Sequence, residues 1–190
     1  MYAMRQQQEH DLIERIVGGD TEAFAVLVDR YAHTVHALVA RIVVTAEDAE
    51  EVTQDVFLKV FDHLPRFDGR SSLATWIYRI AFNTAVSHAR RRRRPTCPID
   101  ERRIAAITDD EVERLEEMVE RQQALDKLAA AIEALEADER ALVTLRYYDD
   151  RSVADCAAIT GLTEANVKVR LHRIRKKLYA MITSATNEYK

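Results

Sequence analysis

The chain has 190 residues, enough for one domain or two small ones that bury a core without disulfide or metal staples. Only 4 Gly and 3 Pro stand beside 47% apolar and 32% charged residues, which excludes a turn-rich β sandwich and a collagen-like chain and suits helices. The net charge of -4 averages unlike blocks: residues 1–64 hold 5 Lys/Arg against 12 Asp/Glu, 65–99 hold 8 against 1, 100–140 hold 6 against 14, and 141–190 hold 9 against 5. Two basic blocks fit two surfaces that meet phosphate; an unevenly solvated surface fits the same numbers.

No apolar run approaches the ~18 residues of a membrane span, and the opening MYAMRQQQEHDLIER lacks the apolar stretch of a secretory signal. The expectation is a soluble cytoplasmic protein with no membrane insertion. Cys97 and Cys156 have no second Cys or His at ligand spacing, so neither a disulfide framework nor a metal site is expected. A glycine-rich phosphate loop and a nucleophile elbow are also missing, which argues against an enzyme.

In chain order, the Gly and Pro residues mark junctions at Gly18 and Gly19, Pro65 and Gly69, Pro95 and Pro98, and Gly161. Asp20 can cap a helix whose apolar period runs through Phe24, Leu27, Val28, Tyr31, Val35, Leu38 and Ile42. Thr45 with Asp48 opens the next, AEDAEEVTQDVFLKVFDHL, which buries Ala49, Val52, Val56, Val60 and Leu64 and turns Asp48, Glu51, Asp55 and Asp62 outward. That acidic face, with Leu58 among its charges, either docks on a basic partner helix or stays in water. Ser71 or Ser72 opens a third helix that ends in the run Arg90 to Arg94, where cations suit the negative end of the macrodipole. On it Ser72, Trp76, Arg79, Asn83, Ser87 and Arg90 share one face, opposite Leu73, Ile77, Ile80, Ala81, Phe82 and Ala85. A tryptophan beside Arg and Asn offers single-stranded nucleic acid a stacking surface, donors and cations. A rim tryptophan at a core boundary fits as well.

Pro-Thr-Cys-Pro then begins a linker that reaches the polar stretch near Thr108 to Glu113, and the second half is again helical. Ser152 with Asp155 caps SVADCAAIT, Gly161 turns the chain, and Thr163 caps EANVKVRLHRIRKKL: helix, turn, helix. Val167, Leu171, Ile174 and Leu178 form the inner side, facing Val153, Ala157, Ile159 and Leu142, and the opposite side is basic. Such a helix fits the major groove, with Asn166, Val169, Arg170 and Arg173 reaching base edges and later Lys and Arg residues meeting phosphates. A solvated amphipathic helix is the plainer reading. Cys156 reads as a small core residue.

Together these segments resemble the two-domain bacterial sigma factors of the extracytoplasmic-function group, within the sigma-70 family. AEDAEEVTQDVFLKVFDHLPRFDG is similar to the family's core-polymerase-binding segment, SSLATWIYRIAFNTAVSHARRRR to its promoter-melting segment, and RSVADCAAITGLTEANVKVRLHRIRKKL to its upstream-element helix-turn-helix. The resemblance implies an all-α chain: a sigma region 2-like bundle over 9–94, a linker over 95–120 leading toward the RNA-exit path, and a sigma region 4-like domain over 121–183. It implies a promoter-specificity subunit of RNA polymerase with no catalytic residues and no cofactor. Asp48, Glu51, Gln54, Asp55 and Leu58 would dock on the clamp helices of the polymerase β′ subunit, with the β flap as a second contact. Phe67, Arg70, Ser72, Trp76, Arg79, Asn83 and Arg90 would take the minus-ten element as the duplex opens into single strands. Asn166, Lys168, Val169, Arg170, His172, Arg173, Lys176 and Lys177 would read the double-stranded minus-thirty-five element. An anti-sigma factor is the expected regulator, since the chain ends soon after Lys177 without a further domain. Two departures stand out: Thr-Glu-Ala-Asn opens the recognition helix where the family often has Pro and Gly, and Cys156 replaces a branched apolar residue. The competing expectation is a helix-turn-helix regulator that binds an operator without joining the polymerase.

Overall fold

The computed structural model describes residues 2–92, 101–112 and 122–187. Cys97, the prolines at 95 and 98, Arg93, Arg94 and the linker residues 113–121 lie outside the described residues. Among the described residues every regular element is helical, in agreement with the expected all-α class. The chain divides into two compact units, Met1–Arg91 with Ala157–Gly161 and Arg92–Cys156 with Leu162–Lys190.

The first unit begins with α1 (Tyr2–Val17), α2 (Thr21–Ile42) and α3 (Ala46–His63), followed by a 3-10 turn (Leu64–Arg66) and α4 (Leu73–Arg91). Helices α2, α3 and α4 each start where the sequence supplies a cap. The Asp20 carboxylate accepts the Ala23 N–H at 3.0 Å, the Thr45 hydroxyl accepts the Asp48 N–H at 3.0 Å, and the Ser72 hydroxyl accepts the Thr75 N–H at 3.1 Å. The Ala23 amide and the Arg15 guanidinium hold the Asp20 carboxyl below the usual carboxylate range. Pro65 ends α3, because its ring cannot continue the hydrogen-bond ladder. Helices α2, α3 and α4 pack against one another around Leu27, Leu38, Ile42, Val52, Val56 and Ile77, all fully buried. Each such side chain contributes roughly 1.5–3 kcal/mol of burial.

The second unit holds α5 (Glu101–Ala106), α6 (Gln122–Glu133), α7 (Ala137–Val143) with a π-helical turn (Thr144–Tyr148), and α9 (Glu164–Asn187). Between the last two lies α8 (Val153–Thr160). Helix α9 packs against α5, α6 and α7. Arg140 is buried and donates from Nη1 to the carbonyl oxygens of Glu133 at 2.7 Å and Leu135 at 3.4 Å, satisfying acceptors left open where α6 ends. Part of the stretch expected to be a polar linker is built into this unit. Residues 101–106 and 109–112 are helical, and Ile104, Ile107 and Val112 are buried. Three branched apolar residues in nine positions give the segment enough apolar surface to fold back on a helix.

Candidate nucleic-acid interface

Ser72 starts α4, and the 3.6-residue period then separates the helix into two faces. Leu73, Ile77, Ala81 and Ala85 are buried, while Ser72, Arg79, Asn83, Ser87 and Arg90 are exposed. The stripe read from the sequence is therefore a real surface. Trp76 lies half-buried at its edge, with the Phe67 ring 5.3 Å from its own and tilted by 59°. Gly69, at φ 68, turns the chain between them, and Arg70 pairs with Asp68 through Nε to Oδ2 at 2.9 Å. The result is an aromatic ledge flanked by Arg70, Arg79 and Asn83. Stacking on such a ledge serves any base, and the cations beside it serve the backbone.

On α3, Glu51, Gln54 and Asp55 are exposed, and Leu58 shows 64% of its surface. Phe61 is also partly exposed, edge-on to Phe24 at 5.0 Å. Asp48 departs from the expected outward face. It is 2% exposed, and its Oδ1 meets the His88 Nε2 of α4 at 3.2 Å. The reason is positional: Asp48 precedes buried Val52 by one helical turn and so lies on the inner flank, whereas Glu51 and Asp55 point away. About three turns further along α3, Lys59 Nζ donates to the Thr84 hydroxyl at 3.2 Å, a second polar link between α3 and α4.

The helix-turn-helix signals appear as hydrogen bonds. The Ser152 hydroxyl and amide both donate to the Asp155 carboxylate, at 2.7 and 3.2 Å, and the Asp155 N–H returns to the Ser152 hydroxyl at 3.0 Å. Gly161 takes φ 75, which side-chain-bearing residues rarely adopt, and the Thr163 hydroxyl accepts the Asn166 N–H at 3.2 Å. Along α9, Val167, Leu171, Ile174 and Leu178 are buried as expected. Asn166, Lys168, Val169, Arg170 and Arg173 are exposed, Val169 by 66%. His172, Lys176 and Lys177 are only partly exposed. Two of the basic residues are held by α7: Arg170 Nη1 lies 3.3 Å from Asp138 Oδ2, and Lys177 Nζ lies 2.7 Å from Glu139 Oε2. The sequence reading missed these acidic partners, since nothing local marks pairs more than thirty residues apart, and it missed Arg140, which reaches back to the carbonyls of Glu133 and Leu135. Cys156 is fully buried, and loss of hydration pushes its thiol up to about 11.

Two family descriptions match the chain, Sigma-70 region 2 over residues 27–95 and Sigma-70 region 4 over residues 125–178. The ECF RNA polymerase sigma-E factor of Escherichia coli K12 is 35% identical over 173 residues, 88% of this chain and 90% of that one. The RNA polymerase sigma-H factor of Pseudomonas aeruginosa is 34% identical over 181 residues, 92% of this chain and 94% of that one. The chain belongs to the sigma-70 family, in its extracytoplasmic-function group. The sigma factor also shares its fold with the solved sigma factor RpoE of Bartonella quintana, crystallised with the anti-sigma factor NepR. That likeness has a TM-score of 0.58 at 20% identity and covers 84% of this chain and 96% of the other. The region 2 match takes in α3 and α4, hence the acidic face and the aromatic ledge, and the region 4 match takes in most of α9. Among the described residues of the sigma factor, no helix is long and apolar enough to cross a membrane. Sigma factors are not a class of enzyme.

Proposed function

We propose that this sigma factor directs promoter-specific initiation through three surfaces. Glu51, Gln54, Asp55 and Leu58 dock on the β′ clamp helices of core polymerase, Leu58 as the apolar anchor within the acidic face. Asp48 leaves this set, because its carboxylate faces His88. Phe67, Trp76, Arg79 and Asn83 receive an unstacked base of the minus-ten element, while Arg70, Ser72 and Arg90 meet its backbone. Asn166, Val169 and Arg173 read base edges of the minus-thirty-five element, and Lys168, His172 and Lys176 approach phosphates around them, whereas Lys177, held at 2.7 Å by Glu139, leaves this set. Arg170 is pulled toward Asp138 and serves the helix's seating more than base reading.

The observation that carries this reading is the ledge itself: a half-buried tryptophan against Phe67, opening onto exposed Arg79 and Asn83, within the region 2 match. A duplex-binding operator regulator has no use for a base-stacking ledge on a separate helix. The family context adds the β flap as a second polymerase contact, an anti-sigma factor as regulator, the cytoplasm as location, and no catalytic chemistry in the chain itself. The domain limits that go with it are 9–94, 95–120 and 121–183, with residues 101–112 of the linker packed into the second unit. The test is run-off transcription with core polymerase on sheared host DNA, with and without the protein. Protein-dependent starts that share two spaced upstream elements support the reading. Specific duplex binding without starts would replace it with the operator-binding regulator.

A further inference from the structure

Exposure falls along one line of the recognition helix. Val169, His172, Lys176 and Ala180 lie on the same face of α9, opposite the buried Val167, Leu171, Ile174 and Leu178. Val169 is 66% exposed, whereas Ala180, a small residue on the side that should meet solvent or DNA, is 1% exposed. What covers it is the segment after α5: Ile107 and Val112 form a buried cluster with Ala180, and Tyr179 packs against it. Between those two apolar anchors the segment turns acidic, with Asp109, Asp110 and Glu111 in succession. Thr108 and Glu111 fix that turn by reciprocal capping: the Thr108 N–H reaches Glu111 Oε2 at 2.8 Å, and the Glu111 N–H reaches the Thr108 hydroxyl at 3.3 Å. Asp109 is thereby set in the first turn, with Oδ1 at 3.4 Å from His172 Nε2 and 3.6 Å from Lys176 Nζ.

We propose that residues 104–112 form an internal competitor for the DNA backbone, in which Asp109 occupies on His172 and Lys176 the place of a promoter phosphate. The inference rests on the reading of α9 as the minus-thirty-five helix. A carboxylate and a phosphodiester both accept hydrogen bonds from the same N–H donors, charge-assisted from Lys176, so they exclude each other at one pair of side chains. The hold is weak by design of geometry: both distances are long, and the Asp109 side chain is 73% exposed. Ile107 and Val112 keep the carboxylate near its partners at high effective concentration, and DNA displaces it without unfolding the helix. The strap therefore raises the threshold for non-specific duplex binding by the free chain, since phosphate contacts supply most of that affinity.

The test is titration of the full-length protein at low salt with two fluorescent duplexes, one carrying the upstream element mapped by run-off transcription and one scrambled. Asp109→Asn is expected to bind both duplexes about 3- to 10-fold more tightly, the range for relieving one or two exposed ion pairs. Asp110→Asn, the same charge change one position away, is expected to gain less than half as much. Equal gains in the two variants would reduce the effect to bulk charge and overturn the proposal, as would no gain in Asp109→Asn. If the wild type fails to prefer the mapped element, the base-reading assignment fails while the gain on both duplexes still supports the strap. Absence of duplex binding by all three proteins would overturn both.

Discussion

Replacing Asp48 with alanine separates folding from docking in the sigma factor. The Asp48 side chain is 3% exposed and its His88 partner 18%, with 3.2 Å between Oδ1 and Nε2. Leaving a buried hydrogen-bonding group without its partner costs about 1–3 kcal/mol. Since His88 keeps some access to water, about 1–2 kcal/mol is the better expectation here, and losing the carboxylate from the first turn of α3 adds roughly 0.3–1 kcal/mol. A unit of this size has about 5–13 kcal/mol of total stability, so Asp48→Ala should remain folded at 20 °C with a melting temperature lower by roughly 5–20 °C. Its affinity for core polymerase at 20 °C should equal that of the wild type, because the residue is absent from the proposed docking face. Leu58→Ala is the converse: with 64% of Leu58 in solvent, its melting temperature should hold while polymerase affinity drops by more than about 1 kcal/mol. Thermal unfolding followed by circular dichroism, alongside an anisotropy titration with core polymerase, reads both quantities. An Asp48→Ala protein that melts with the wild type and binds polymerase more weakly would refute the burial argument and restore Asp48 to the interface.

Trp76→Ala should leave closed-complex formation intact and impair opening, read as loss of permanganate-reactive thymines; a bubble of normal reactivity would remove Trp76 from the melting site. Arg173→Ala should weaken binding to the mapped upstream element by about 1–3 kcal/mol and relax sequence preference. An equal loss on scrambled duplex would make Arg173 a phosphate contact. Cys156 should resist alkylation in the native chain: with its thiol pushed up to about 11, only about one molecule in a thousand is thiolate at pH 8. In a Cys97→Ser background that leaves one thiol, unfolding should accelerate labelling by at least about 100-fold, and rapid native labelling would contradict the buried placement.

Much of this architecture was legible in local sequence. Ser152 with Asp155, Thr163 three residues before Asn166, and Gly161 between the helices are signals within a few positions, and each appears as a hydrogen bond or a positive φ. The α4 stripe was legible because helical periodicity alone sorts exposed Arg79 and Asn83 from buried Ile77 and Ala81. What escaped were polar pairings across sequence. Asp48 and His88 lie forty positions apart, Lys177 and Glu139 thirty-eight, and neither residue in a pair signals its partner by composition or spacing. The packing of Ile107 and Val112 on Ala180 escaped for the same reason, so a segment read as polar linker proved to cover part of α9.

The two polar links between α3 and α4, Asp48 to His88 and Lys59 to Thr84, join helices already packed through their apolar sides. One helix bears the acidic face with Leu58, and the other bears the ledge with Trp76. The pair thus behaves as a bracket of fixed dimensions. Whatever grips α3 also sets where the indole stands in space, to within side-chain motion. With α3 docked and the ledge on the minus-ten element as proposed, the distance from that element to the polymerase's catalytic centre is inherited from this bracket, and substitutions that loosen it should scatter transcription start sites even where promoter affinity survives.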